Sequence, residues 1–156
     1  MRETSIFAMN RNTMDAVIRK AKLKDAGSIV SLTEEFGYHS TRDEIRNRLK
    51  RISSDLQQEV FLAENGIVIG WMHVAITEPL ESQPFVEIRG IVVKEVFRGR
   101  GVGTRLIQTA EHWAKNKGCS RIRIRTNITR IETRQYYRKL GFISKKTQEV
   151  FEKELK

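Results

Sequence analysis

Apolar positions change period several times along the chain, and each change marks a predicted element. Residues 16–21 are a short apolar run and predict a first strand. Ile29, Leu32, Thr33 and Phe36 then share one side of a helix, with Asp25 as its predicted N-cap and Gly37 as its end. Thr41 with Glu44 three residues on forms a capping box, and the helix it opens carries Ile45, Leu49 and Ile52. Residues 58–63 and 67–77 predict two strands either side of the turn residues Glu64, Asn65 and Gly66. A loop over 78–84 holds both prolines of the chain. Residues 86–93 are apolar and rich in β-branched side chains, and they predict a buried strand.

Beyond Val93 the pattern turns from periodic to glycine-rich. Gly99, Gly101 and Gly103 stand at alternate positions, interleaved with Arg100 and preceded by Arg98. A helix follows, with Leu106, Ile107, Ala110, Trp113 and Ala114 on one face and Lys117 and Gly118 as its stop. Residues 121–126 alternate apolar and basic, a helix spans about 131–139, and 142–146 with 150–155 read as a closing hairpin. Residues 1–15 show no clear periodicity and are expected to be a loose extension ahead of one domain over 16–156. Strand, glycine turn and helix together aim backbone N–H groups outward at a helix N-terminus, which attracts phosphate. Glycine lets an anion approach that backbone without a Cβ in the way. The nucleotide P-loop is excluded because Thr104 and Arg105 follow Gly103 where Lys and Ser/Thr are required, and the dinucleotide fingerprint because one residue separates Gly101 from Gly103 instead of two.

The pattern Arg98-x-x-Gly101-x-Gly103, five residues past Val93, resembles the acyl-CoA-binding motif of the GNAT superfamily of N-acetyltransferases. The run Tyr136, Tyr137, Arg138, Lys139, Leu140, Gly141, Phe142 is similar to that family's closing helix-to-strand signature, a Tyr three residues before Leu-Gly-Phe. The resemblance implies an α/β fold in which a mixed, twisted sheet, flanked by helices, splays apart between the strand ending at Val93 and the strand around Ile124. It also implies transfer of an acetyl group from acetyl-CoA, as co-substrate and without a metal, to a primary amine. A splay leaves backbone donors of one strand unpaired, and a pantetheine arm lying in the gap satisfies them.

The resemblance also implies site residues. Backbone groups of Ile91, Val92 and Val93 would hold the pantetheine arm and polarise the thioester carbonyl. Arg98, Gly99, Arg100, Gly101, Val102, Gly103 and Thr104 would wrap the pyrophosphate. Many members carry Asn seven residues before the tyrosine; this chain has Arg130 there, with Asn127 the nearest amide, and the choice between the two stays open. Tyr137 matches the usual general acid toward the CoA sulfur, the alternative being a ring packed on Phe142; Tyr136, about 100° away on the helix, reads as structural. Glu87 is the candidate base, since an alkylammonium must lose a proton before attack and desolvation on an apolar strand would raise a carboxyl's pKa. Glu34, Glu35 and His73 are the other candidates. Phe36, Tyr38, His39 and Trp71, with Glu34, Glu35, Glu78 and Glu81, fall on the segments that shape the acceptor pocket in this family.

Charge adds one distinction. The 156 residues carry a net charge of +10, and residues 98–139 alone hold twelve Lys or Arg against two acids. A surplus confined to the glycine-turn segment suits a docked polyanion such as CoA better than it suits nucleic acid. A basic nucleic-acid-binding module and a non-catalytic acyl-CoA sensor remain the rival readings. The single Cys119 excludes an internal disulfide and reads as small-residue packing. No apolar run reaches membrane-spanning length and the N-terminus lacks the apolar core of a secretory signal, so a cytoplasmic protein with no membrane partner is expected. A homodimer is held open.

Overall fold

The computed structural model describes residues 15–156; nearly all of the expected extension over 1–15 lies outside the described residues. The chain divides after Ile124 into two compact units.

The first unit holds a five-stranded mixed sheet in the order β1-β2-β3-β4-β5. Its strands are β1 (Val17–Lys20), β2 (Gln58–Asn65), β3 (Ile67–Thr77), β4 (Phe85–Val93) and β5 (Ile122–Ile124). Neighbours from β1 to β4 run antiparallel, while β5 joins β4 in parallel through the crossover helix α3 (Val102–Asn116). Helices α1 (Ala26–Glu34) and α2 (Arg42–Ser53) connect β1 to β2. Their apolar faces join one side of the sheet in a core of Ala26, Ile29, Leu49, Val60 and Leu62, against which Trp71 packs. The other side is covered by α3: Leu106, Ile107 and Ala110 are buried, as are Met72 and Val74 of β3. An added Cβ at Gly70 would lie 3.5 Å from Leu106, which sets Gly70, Met72 and Val74 on the α3 side and Trp71, His73 and Ala75 on the α1/α2 side.

Local chemistry accounts for most boundaries. Thr41 and Glu44 cap α2 reciprocally, at 3.2 and 2.8 Å. Gly118 ends α3 in left-handed backbone, and Cys119, buried as small-residue packing requires, donates its N–H back to Ala114. Asp25 departs from expectation. Its carboxylate does not cap α1 but takes two hydrogen bonds from Arg19, at 2.8 and 2.9 Å, and one from the backbone of Lys22. A bidentate, half-buried guanidinium partner competes better for a carboxylate than a helix terminus does.

The second unit holds α4 (Ile131–Lys139). Gly141 closes it with φ 91° while Phe142 donates to the carbonyl of Tyr137, so the Leu-Gly-Phe signature is, physically, a helix C-cap. The expected closing hairpin is not formed: residues 142–156 contain no strand, and Ile143, Val150, Phe151 and Leu155 are exposed. The residues between the two expected strands, Thr147, Gln148 and Glu149, offer no Gly, Asn or Pro to turn the chain, and an isolated two-stranded hairpin is marginal.

Candidate active site

The β4–β5 ladder is the shortest in the sheet. Val86, Glu87 and Ile88 pair with Ile122, Arg123 and Ile124, and there it stops. On its other side β4 stays paired with β3 through to Val93. From Arg89 onward the β5-facing edge of β4 therefore has no strand partner among the described residues, which is the splay the resemblance implied. The divergence begins beside a bulge: His73 pairs with Gly90 and Val74 with Ile88, leaving Arg89 as an extra residue. Ile91 and Val93 are half-buried and Val92 is buried along this open stretch.

β4 leads straight into the glycine turn. Lys94 donates its N–H to Ile69 at 2.8 Å, a short 3-10 turn covers Glu95–Phe97, and Gly99 and Gly101 both adopt left-handed backbone, φ 73° and 81°. A Cβ on Gly99 would meet no atom within 4 Å, so conformation and not crowding requires glycine there. Gly101 is the N-cap of α3 and brings no side chain to its first turn, which spans Val102, Gly103 and Thr104 and contains no acid. That terminus suits an anion.

The arginines of the turn do more than supply charge. Arg98 donates its Nε–H to the carbonyl of Val93 at 3.1 Å, and its guanidinium sits 4.9 Å from the ring centre of Phe36, just past α1. Arg100 lies 5.9 Å from the ring centre of Phe97. These stacked contacts hold the cationic heads near the turn at little entropic cost. Three further basic residues of this segment are tied down separately. Arg105 donates to the carbonyl of Ala16, Lys117 to Leu56 at 2.7 Å and Arg121 to Gln83 at 2.6 Å. Lys117 and Arg121 thus also fasten loops.

On the α1/α2 side of the sheet, Glu87 is half-buried, opposite Ala75 on β3 and Arg123 on β5. Trp71 lies against Gly90, and its buried indole N–H has no hydrogen-bond partner among the described residues. Near Glu87 on the same side is a polar cluster that sequence reasoning missed apart from His73. Gln58 donates to Asp55 at 2.7 Å, and its carbonyl oxygen lies 2.9 Å from Nε2 of His73 and 3.3 Å from Arg89. Burial, helped by the charge of Arg89, pushes the His73 imidazole below its ordinary pKa. Glu34, Glu35, Tyr38 and His39 are exposed around Phe36, and Glu78 and Glu81 are exposed on the β3–β4 loop.

In the second unit, Tyr137 lies 5.6 Å from Tyr136 and 5.7 Å from Phe142, ring centre to ring centre. Burial, and next Tyr136, raise its phenol above the usual value, so it stays a proton donor through neutral pH. Asn127 uses its side-chain carbonyl on the backbone and hydroxyl of Thr129, at 3.1 and 2.9 Å. Arg130 stands at the N-cap of α4 with its side chain exposed.

An open β4 edge feeding a glycine turn at a helix N-terminus defines an acyl-CoA-type transferase fold. Residues 14–142 match the Acetyltransferase (GNAT) family, and the chain belongs to that family, whose members use acetyl-CoA. It is a GNAT-type N-acetyltransferase. Among its relatives is an aminoglycoside N(6')-acetyltransferase of Serratia marcescens, 28% identical over 103 residues that make up 62% of this chain and 70% of that enzyme. An aminoalkylphosphonate N-acetyltransferase of Salmonella typhimurium is 26% identical over 131 residues, 80% of this chain and 83% of that one. In structure the chain is similar to AAC(6')-Iy bound to the bisubstrate analogue CoA-S-monomethyl-acetylneamine, with a TM-score of 0.79 and 23% identity over 91% of this chain and all of that one, a likeness of fold. Among the described residues no group of His, Cys, Asp or Glu is arranged to hold a metal, and no helix is long and apolar enough to cross a membrane.

Proposed function

We propose that residues 16–156 work as one acetyltransferase domain that moves the acetyl group of acetyl-CoA onto a primary amine of a small cationic molecule. The observation that carries this reading is the early end of the β4–β5 ladder at Ile88, directly before the glycine turn. Bound acetyl-CoA supplies the activated acetyl thioester. The backbone of Ile91, Val92 and Val93 binds its arm, and residues 98–104 bind its diphosphate through the amides of the turn and the first turn of α3. Of the two remaining candidate contacts Arg130 is preferred, because Asn127 spends its carbonyl on its own turn.

Glu87 receives the acceptor's ammonium and its proton. Tyr137 donates a proton to the departing sulfur, supported by the burial that keeps its phenol protonated. Phe36 and Trp71, with exposed Glu34 and Glu35, favour a cationic acceptor. The aminoglycoside acetyltransferases among the relatives point to an amino sugar, and the aminoalkylphosphonate enzyme shows that the acceptor varies between relatives. Isothermal calorimetry with acetyl-CoA, followed by a free-CoA release assay against neamine, short lysine peptides and simple alkylamines, tests the proposal. Saturable binding with turnover of at least one amine supports it. Absence of binding in the micromolar range overturns it, and binding without turnover of any amine leaves an acyl-CoA sensor.

A further inference from the structure

The cluster around Gln58 has one consistent hydrogen-bond assignment, and that assignment decides the state of His73. A guanidinium has donors only and an ionised carboxylate acceptors only. Gln58 lies between both: Asp55 Oδ2 is 2.7 Å from its Nε2 and Arg89 Nη1 is 3.3 Å from its Oε1. The amide is therefore oriented by chemistry, nitrogen toward Asp55 and oxygen toward Arg89. Asp55 also accepts the N–H of Gln57 at 2.9 Å, and these donations, that of Gln58 first, hold its carboxyl below the usual range. It remains an acceptor throughout the neutral pH region. Since Nε2 of His73 lies 2.9 Å from the same Gln58 oxygen, it must carry the hydrogen. Neutral His73 then has Nδ1 as a bare lone pair, and no described residue donates to it.

Resting on the acetyl-transfer reading above, we infer that His73 is locked as its Nε2–H tautomer and that Nδ1 is the base to which Glu87 passes the proton taken from the acceptor ammonium. His73 and Glu87 share the α1/α2 side of adjacent strands, opposite Gly90 and Ala75 respectively. The acceptor's N–H bond breaks and its electron pair stays on nitrogen. The proton moves to the Glu87 carboxylate and then to Nδ1, leaving an imidazolium and a neutral amine able to attack. The groups facing His73 explain why the proton does not stay. From β2 comes the neutral Gln58 and from β4 the cationic Arg89, with Glu87 on the same side opposite Ala75; from the α2–β2 loop comes Asp55, its charge already engaged by Gln58 and Gln57. Burial and Arg89 both disfavour the imidazolium, so it returns its proton to solvent after each turnover.

The test has one readout that needs no acceptor. Long-range ¹H–¹⁵N correlation on ¹⁵N-labelled protein at about pH 8 should show His73 Nδ1 at the frequency of an unprotonated imidazole nitrogen and Nε2 at that of a protonated one. The reverse pattern, or an even mixture of tautomers, overturns the inference. His73→Gln keeps an N–H for Gln58 but has no basic nitrogen. With the best acceptor of the amine panel it should lose on the order of 10- to 100-fold in kcat, together with the acid-side limb of the kcat–pH profile. Its acetyl-CoA affinity by calorimetry should match wild type, as a purely structural role would not separate the two. Arg89→Met should move that limb to higher pH, because a neighbouring positive charge is gone. An unchanged rate and limb in His73→Gln overturns the base role. Failure of wild type to bind acetyl-CoA defeats the acetyl-transfer reading instead, with the tautomer result standing by itself.

Discussion

The ring of Trp71 fills the space that any side chain at Gly90 would need: an added Cβ would lie 2.8 Å from Cη2 and 2.9 Å from Cζ3 of the indole. The indole is held between that strand and the core under α1 and α2, so it has little room to retreat. Gly90→Ala should lower stability by about 1–3 kcal/mol, the usual range for overpacking. In thermal unfolding that is a fall in Tm of about 2–4 °C per kcal/mol for a chain of this size. Pairing it with Trp71→Leu should recover part of the loss, and strict additivity of the two changes would show that the ring is not the obstacle.

Arg19 bridges Asp25 and Glu64, with the Asp25 side chain only 7% exposed. The hydrogen bonds from Arg19 hold the Asp25 carboxyl below its ordinary value. A carboxyl whose pKa is lower folded than unfolded stabilises the protein above the unfolded value of about 3.9. That stability is lost as pH falls through the lower, folded value. Wild-type Tm should therefore drop steeply below about pH 4, and Asp25→Asn should flatten that drop while costing about 3 kcal/mol at neutral pH. Parallel Tm–pH curves for the two proteins would contradict it.

Gly101 sits at φ 81° at the head of α3. Gly101→Glu adds a negative charge and a strained backbone where the diphosphate is proposed to rest, and calorimetry should find no saturable acetyl-CoA binding. Gly101→Asn, which tolerates left-handed backbone, should bind more weakly but measurably. Equal binding by Gly101→Glu and wild type would place the diphosphate elsewhere.

Tyr137→Phe removes one hydroxyl and leaves the ring beside Phe142. Turnover should fall by about 100-fold, within the range for a lost general acid, with acetyl-CoA affinity and Tm nearly unchanged. Equal losses of turnover and Tm would make Tyr137 a packing residue.

Local signals in the chain were read well because their physics is local. The Thr41 and Glu44 box, the glycine ends of α3 and α4 and the strand–turn–helix around Val93 each depend on a few neighbouring residues. The splay was legible only through family resemblance, since nothing in residues 86–93 says where β5 stops pairing. Side-chain partnerships across the sheet were not legible at all. Gln58 meets His73 and Arg89 through the strand register and the bulge at Arg89, neither of which periodicity reports. Gly90 carried a usable hint, because glycine inside a strand signals a bulge or a close approach, and here there are both. The hairpin over 142–155 shows the opposite error: apolar runs alone predict strands that no turn residue joins.

Arg98 touches Phe36 on one side and the carbonyl of Val93 on the other, so on the proposed assignment the acceptor and the diphosphate would share a fulcrum. An acceptor that shifts Phe36 and a diphosphate that draws Arg98 toward the turn act on one side chain. Whatever free energy the first adds to or subtracts from the second must be returned in equal measure. If both substrates bind as proposed, coupling between them would pass through this single guanidinium and its aromatic neighbour.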